Sequence, residues 1–283
     1  MTTIKIAGVP EHFNLPWHLA IDNNEFQAKN IDLQWTDVPE GTGKMCQMLR
    51  SGETDIAVIL TEGVVKDIVA GSPTKIVQVY VDSPLIWGIH VATKSPYKTI
   101  ADLENTKCAI SRVGSGSQLM AYANAGNQNW NTNDLQFEII NTIDGAVEAL
   151  TAGTADYFMW ERFMTKPLVD KGTFRRVGDC PTPWPCFVIA VREELLEQQP
   201  EVIKTILEII NHKTEGFKDI TNIDQILAHK YHQKTADIQE WLSLTTWSQK
   251  PLAKNLLNNV QNQLFDLKII DKKVTFDEIV KTF

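Results

Sequence analysis

The sequence predicts an α/β protein of two lobes on one plan, joined by hinge strands and finished by a helical C-terminal segment. Three observations carry that reading. Short β-branched runs alternate with helical patterns over the first two thirds of the chain, which is how a mostly parallel, doubly wound sheet is written. The segment LRSGETDIAVI at 49–59 has an echo in LTAGTADYFMW at 150–160. From Glu193 onward the periodicity is almost wholly helical.

In chain order, strands are expected at 4–9, 31–38, 56–60, 76–81, 87–93, 107–112, 135–140, 157–160 and 187–191. The first alternates apolar and polar residues, whereas IAVIL at 56–60 and FVIAV at 187–191 are continuous apolar runs, the mark of strands buried on both faces. The polar stretch NAGNQNWNTND at 124–134 reads as a surface loop, mobile or a plain solvated turn. Helices then follow in PEVIKTILEIINHKTEGFK, IDQILAHKYH, TADIQEWLSLTTW and PLAKNLLNNVQNQLFDL, punctuated by prolines and polar caps.

The echo has a physical reading. A helix ending near Leu49 or Leu150 needs a residue tolerant of positive φ past its last turn, which Gly52 or Gly153 supplies, and the aspartate (Asp55 or Asp156) then opens a buried parallel strand. A second near-pair, 86–93 and 186–192, reads as two apolar strands where the chain crosses between lobes. The expected division is therefore 1–90 with 190–283 as one lobe and 91–189 as the other.

Composition narrows the function. The chain has 283 residues and a formal net charge of -8, so its long-range field repels nucleic acid and anionic membranes. The apolar runs fall far short of the roughly 20 residues of a membrane span. The start, MTTIKIAGV, lacks the features of a signal peptide, so the expected location is the cytosol, or the periplasm had a leader been removed. In a reducing compartment Cys46, Cys108, Cys180 and Cys186 are expected as buried thiols, with Cys180 and Cys186 the one candidate bridge.

The loop AGVPEHFNLPWHLA, the aromatic crossover PLIWGIHVAT, the helix start RVGSGSQ and the segment AGTADYFMWE together resemble the type II periplasmic-binding-protein fold. Within it they are most similar to the branch of thiamine-pyrimidine-precursor and alkanesulfonate binders, nearest its signal-less fungal members. The resemblance implies a protein that closes two lobes around a small polar or heteroaromatic ligand, with a membrane permease as partner if it is exported. A cytosolic enzyme of the same fold acting on such a metabolite, in pyrimidine-precursor synthesis or in chemistry like that of the menaquinone pathway, is the alternative.

In open α/β sheets ligands sit beyond the carboxyl ends of the strands, so the loops there supply the candidates. After the first strand come Glu11, His12, Phe13, Asn14 and Trp17, the aromatics for stacking and the polar groups for orientation; Trp17 reads equally as core. After the second, Gly41 and Thr42 open a helix, either presenting amides to a ligand or forming a capping turn with Thr42 as N-cap. Thr61 and Glu62 hold the equivalent position after the third. In the other lobe Arg112, Gly114, Ser115, Gly116 and Ser117 form a cradle for an anionic or polar end, or a plain helix cap. Trp87, Trp160, Glu161 and Trp184 complete the set, while Trp241 and Trp247 read as helix packing.

No nucleophile elbow and no His-Glu-x-x-His zinc pair is written in the chain, and His229 with His232 lacks a third metal ligand. The cysteine-rich iron motif of the related yeast pyrimidine synthases is missing too. The sequence thus points to no cofactor or metal and leans away from an enzyme. His12, Glu62 and Glu161 are the acid or base candidates of the enzyme alternative.

Overall fold

The computed structural model describes residues 1–283 and divides into two compact units, 1–83 with 184–283 and 84–183. In the first unit the chain runs through β1 (Thr2–Gly8), α1 (Leu15–Asp22), β2 (Ile31–Asp37), α2 (Thr42–Ser51), β3 (Ile56–Leu60), α3 (Thr61–Val69) and β4 (Thr74–Val81). The second unit holds β5 (Ile86–Ala92), β6 (Lys107–Ile110), α4 (Gly116–Asn127), β7 (Gln136–Ile139), α5 (Ile143–Ala152), β8 (Tyr157–Glu161), α6 (Lys166–Asp170) and β9 (Phe174–Pro181). The chain then returns to the first unit through β10 (Phe187–Arg192) and six helices. These are α7 (Glu193–Gln198), α8 (Pro200–Glu215), α9 (Ile223–Lys230), α10 (Thr235–Leu244), α11 (Lys254–Asp266) and α12 (Phe276–Ile279).

Each unit is built on a five-stranded sheet, β2-β1-β3-β10-β4 in one and β7-β6-β8-β5-β9 in the other. In each, the strand in fourth place runs against the other four: β10 is antiparallel to β3 and β4, and β5 to β8 and β9. These reversed strands are the near-pair seen in the sequence. Neither spans the two units, because each finds both hydrogen-bonding neighbours within one sheet. The division accordingly falls between Ser83 and Pro84 and between Pro183 and Trp184, some residues ahead of the positions read from the apolar runs.

Burial explains which strands were legible. All of Ile56, Ile59, Val188, Ile189 and Val191 are without solvent exposure, so the runs at β3 and β10 are apolar on both faces. The strand β9, FRRVGDCP, carries no apolar alternation because it pairs only with β5 and is half-buried over most of its length, so the sequence pattern does not mark it as a strand. The polar stretch at 124–134 is partly helix, since α4 continues through Asn127.

The first unit covers the outer edge of β4 with its own later segments. Val79 donates to the Lys250 carbonyl at 2.9 Å, Lys281 donates to that of Ile76 at 2.9 Å, and Trp247 bridges Val81. An edge paired in this way is no template for another strand. In the second unit the core gathers Ala109, Ile140, Ala146, Leu150, Phe158 and Phe174 between the sheet and α5. The four cysteines are buried free thiols. No helix is long and apolar enough to cross a membrane.

Candidate functional site

In the first unit the carboxyl ends of β1, β2 and β3 share one edge of the sheet with the start of reversed β10. After β1 the chain turns through Pro10 and Glu11, makes a single 3-10 turn over His12–Asn14, and enters α1 with Pro16 in its first turn, where the missing N–H costs nothing. Asn14 fixes this turn by donating Nδ2 to the Val9 carbonyl at 2.8 Å. Tyr80 fixes it from below by donating its hydroxyl to the Phe13 carbonyl, also at 2.8 Å.

His12 is without solvent exposure and its ring stacks on Trp241 of α10, centroids 4.1 Å apart, with Tyr231 and Phe13 edge-on at 5.9 and 4.9 Å. Burial lowers its pKa to about 3, so the imidazole is neutral. Neither ring nitrogen has a hydrogen-bond partner within the protein, and the same holds for Asn14 Oδ1. Glu11 beside it is pushed up to about 7 by burial.

The β3 end is tied to the β10 start. Thr61 donates its N–H to the Cys186 carbonyl at 3.1 Å and its hydroxyl to the Pro185 carbonyl at 2.5 Å. Glu62, 1% exposed in the first turn of α3, accepts the Trp184 indole N–H on Oε2 at 2.8 Å, while its Oε1 has no partner within the protein. Burial, ahead of the two hydrogen bonds that oppose it, pushes its carboxyl up to about 7. Phe13 packs against Phe187, centroids 5.1 Å apart, which places the His12 turn and the Glu62 turn on one edge of one sheet.

Other candidates of this unit have structural duties. Trp17 is without exposure and lies among Phe26, Trp35 and Tyr80, so its faces belong to the core. Thr42 is the first residue of α2 and not its N-cap. That place is Gly41, whose φ of 76° and ψ of -157° suit glycine alone.

In the second unit the turn after β6 is organised around Ser117. Its hydroxyl accepts the Ser111 N–H at 3.0 Å and lies 3.0 Å from the Ser115 hydroxyl, which in turn accepts the Gln118 N–H at 3.3 Å as N-cap of α4. Gly114, with φ of 78°, donates its N–H to Gln118 Oε1 at 2.6 Å. The serine hydroxyls thus serve the helix start itself, which is the capping alternative, while Arg112 and Gly116 remain half-buried.

At the β8 end Trp160 stacks on Phe158, centroids 5.5 Å apart, and buried Glu161 accepts the Met164 N–H on Oε2 at 2.6 Å, capping the turn that follows. Trp87 sits between Glu161 and Cys180 in the sheet register and is buried, its indole N–H without a partner within the protein. His90, which the sequence did not single out, is buried in this sheet with Nε2 3.0 Å from the Thr165 hydroxyl. That hydroxyl also lies 3.0 Å from the Glu161 carbonyl, and burial followed by the Arg176 charge lowers the imidazole to about 4.

Comparisons with known proteins are concordant on the fold. The family model described as Ca3427-like PBP matches residues 87–180. Over 99% of this chain and 96% of its own, the Candida albicans CA3427 gene product, described as exhibiting the generic periplasmic binding protein fold, superposes with a TM-score of 0.90 at 23% identity. The alkanesulfonate-binding protein SsuA from Xanthomonas axonopodis pv. citri, bound to MOPS, gives 0.84 at 15% identity over 100% and 99% of the two chains. The aliphatic sulphonate binding protein SsuA from Escherichia coli gives 0.78 at 18% over 99% and 92%. Comparison with curated protein sequences gives no match. The chain has the two-lobed type II periplasmic-binding-protein fold.

Proposed function

We propose that this chain is a small-molecule binding protein whose ligand is polar or heteroaromatic, a thiamine pyrimidine precursor or a related heterocycle, and that binding draws the two units together. One observation carries the reading. At the strand ends of the first unit, His12 Nδ1 and Nε2, Asn14 Oδ1 and Glu62 Oε1 are buried without partners inside the protein. Buried polar atoms are otherwise almost always hydrogen-bonded, and each one left unmade costs about 1–3 kcal/mol. Polar atoms of this kind suit a ligand that supplies the missing bonds, with Phe13, Trp241 and Trp184 the aromatic rings packed beside them. The fold supports the reading, since its solved relatives named above include sulfonate-binding proteins.

Native mass spectrometry of the purified chain tests it. The expected result is a co-purifying small molecule that leaves intact on denaturation, with a smaller radius of gyration in solution scattering for the loaded form. A chain that is empty and takes up no metabolite from a mixed pool would overturn the reading. The carboxyl of Glu62, poised near neutrality, also suits the acid or base of the enzyme alternative, which a ligand recovered chemically altered would favour.

A further inference from the structure

We infer that Glu62, held by the Trp184 indole, selects a ligand that presents N–H donors or a positive charge to the first unit, and turns away an anionic head group. The inference rests on the binder reading and deepens it. An indole N–H can only donate, so Trp184 occupies one carboxyl oxygen as acceptor and fixes the plane of the group at 2.8 Å. The remaining oxygen, Oε1, is buried with no partner in the protein. Trp184 is the side chain that bonds the carboxyl, and no ion pair joins Glu62 to a cationic side chain.

A lone carboxylate away from water is costly, and a cation or N–H donor brought by a ligand offsets that cost most directly. Asn14 gives one amide N–H to the Val9 carbonyl, and its Oδ1 is a further buried acceptor with no partner in the protein. His12, neutral, adds one donor and one acceptor. An anion brought to Oε1 would be repelled by the carboxylate itself. Although the N-terminus of α3 favours negative charge, Glu62 itself already supplies it from the first turn.

Three probes that share a ring and differ in the head group separate the outcomes: benzamidine (cationic N–H donor), benzamide (neutral) and benzenesulfonate (anionic). Titration calorimetry of the full chain at pH 8, where the carboxyl is ionised, is expected to show benzamidine binding at least tenfold more tightly than benzamide, with no heat from benzenesulfonate. Glu62→Gln is expected to erase that preference tenfold or more, whereas exposed Glu104→Gln keeps it. The Gln variant retains an acceptor for Trp184 and loses an uncompensated buried charge, so its melting temperature at pH 8 should not fall; if it fails to fold, Trp184→Phe serves, with the cation preference kept and the affinity reduced. Binding of benzenesulfonate as tight as that of benzamidine, or a preference unchanged in Glu62→Gln, would overturn the inference and leave the binder reading standing. Failure of all three probes to bind would also overturn it, and a co-purifying anion in the mass spectrum would do so independently.

Discussion

Asp156 grips Lys107 twice: its N–H donates to the Lys107 carbonyl at 2.8 Å and its carboxylate accepts the Lys107 N–H at 2.8 Å. Asp55 holds Lys5 in the same way, at 2.9 Å in both directions. Each aspartate closes the entry of one parallel strand against its neighbour, β8 against β6 and β3 against β1. Three residues before each, Gly153 and Gly52 end the preceding helix in the left-handed region, with φ of 72° and 74°. The two sequence echoes are therefore one device used once in each unit.

Asp156→Ala removes the acceptor of a main-chain N–H and should cost about 1–3 kcal/mol of stability, with Asp156→Asn recovering part of it. Asp55→Ala should cost a similar amount, since Asp55 also pairs with Arg192 at 3.2 Å and Asp156 also accepts the Tyr97 hydroxyl at 3.3 Å. Urea unfolding of the variants measures this, and equal stability of the alanine and wild-type chains would contradict it.

At Gly153 an added Cβ meets nothing within 4 Å, so Gly153→Ala isolates the backbone cost of the left-handed conformation, about 1–2 kcal/mol. Gly153→Asn should melt above Gly153→Ala, because asparagine tolerates that region better. Comparison of the two melting temperatures decides it.

The pH dependence of Glu62→Gln has a definite sign. The folded carboxyl titrates at about 7 and the unfolded one at its ordinary 4.5, so between these values the native state holds a proton that the unfolded chain lacks. Wild-type stability from this group therefore falls as pH rises from 4.5 to 7, by up to about 3 kcal/mol. His12 and His90, both lowered, contribute in the opposite direction over a partly overlapping range, so the variant must be read as a difference from wild type. The advantage of Glu62→Gln should grow from pH 4.5 to 7 and then level off; a difference independent of pH in chemical denaturation would refute the assignment.

Ser117→Ala leaves the Ser111 N–H without its acceptor and should lower stability by about 1–3 kcal/mol, and Ser115→Ala, losing an N-cap, by about 1 kcal/mol. Neither should change affinity for a bound small molecule. Arg112→Ala should do the reverse if the guanidinium holds the ligand's polar end. A thermal melt and a calorimetric titration of the three variants, run side by side, separate cap from cradle.

Much of the fold was legible because burial writes itself into short stretches. Strands buried on both faces, such as β3 and β10, must be apolar throughout, and a helix that stops sharply needs its glycine. The strand β9 was not legible because an edge half-open to solvent makes no such demand, and Arg175, Arg176 and Asp179 are at home there. Legibility of the candidate site was lower. His12 owes its surroundings to Trp241 and Tyr231, and Glu62 to Trp184, partners far off in sequence that no local pattern announces. Trp17 shows the converse: a loop-like setting of prolines and histidines surrounds a ring that the core has taken.

The position of β10 constrains how the molecule comes into being. Because β10 lies between β3 and β4, the first sheet stays split until the chain has been made past residue 192, whereas residues 84–183 hold all five strands of theirs. During synthesis the second unit has everything it needs to fold while the first still holds open a slot whose backbone donors and acceptors wait for a strand more than a hundred residues away. Closing that slot carries the loop entropy of the whole intervening segment, and a compact, already folded insert shortens the search.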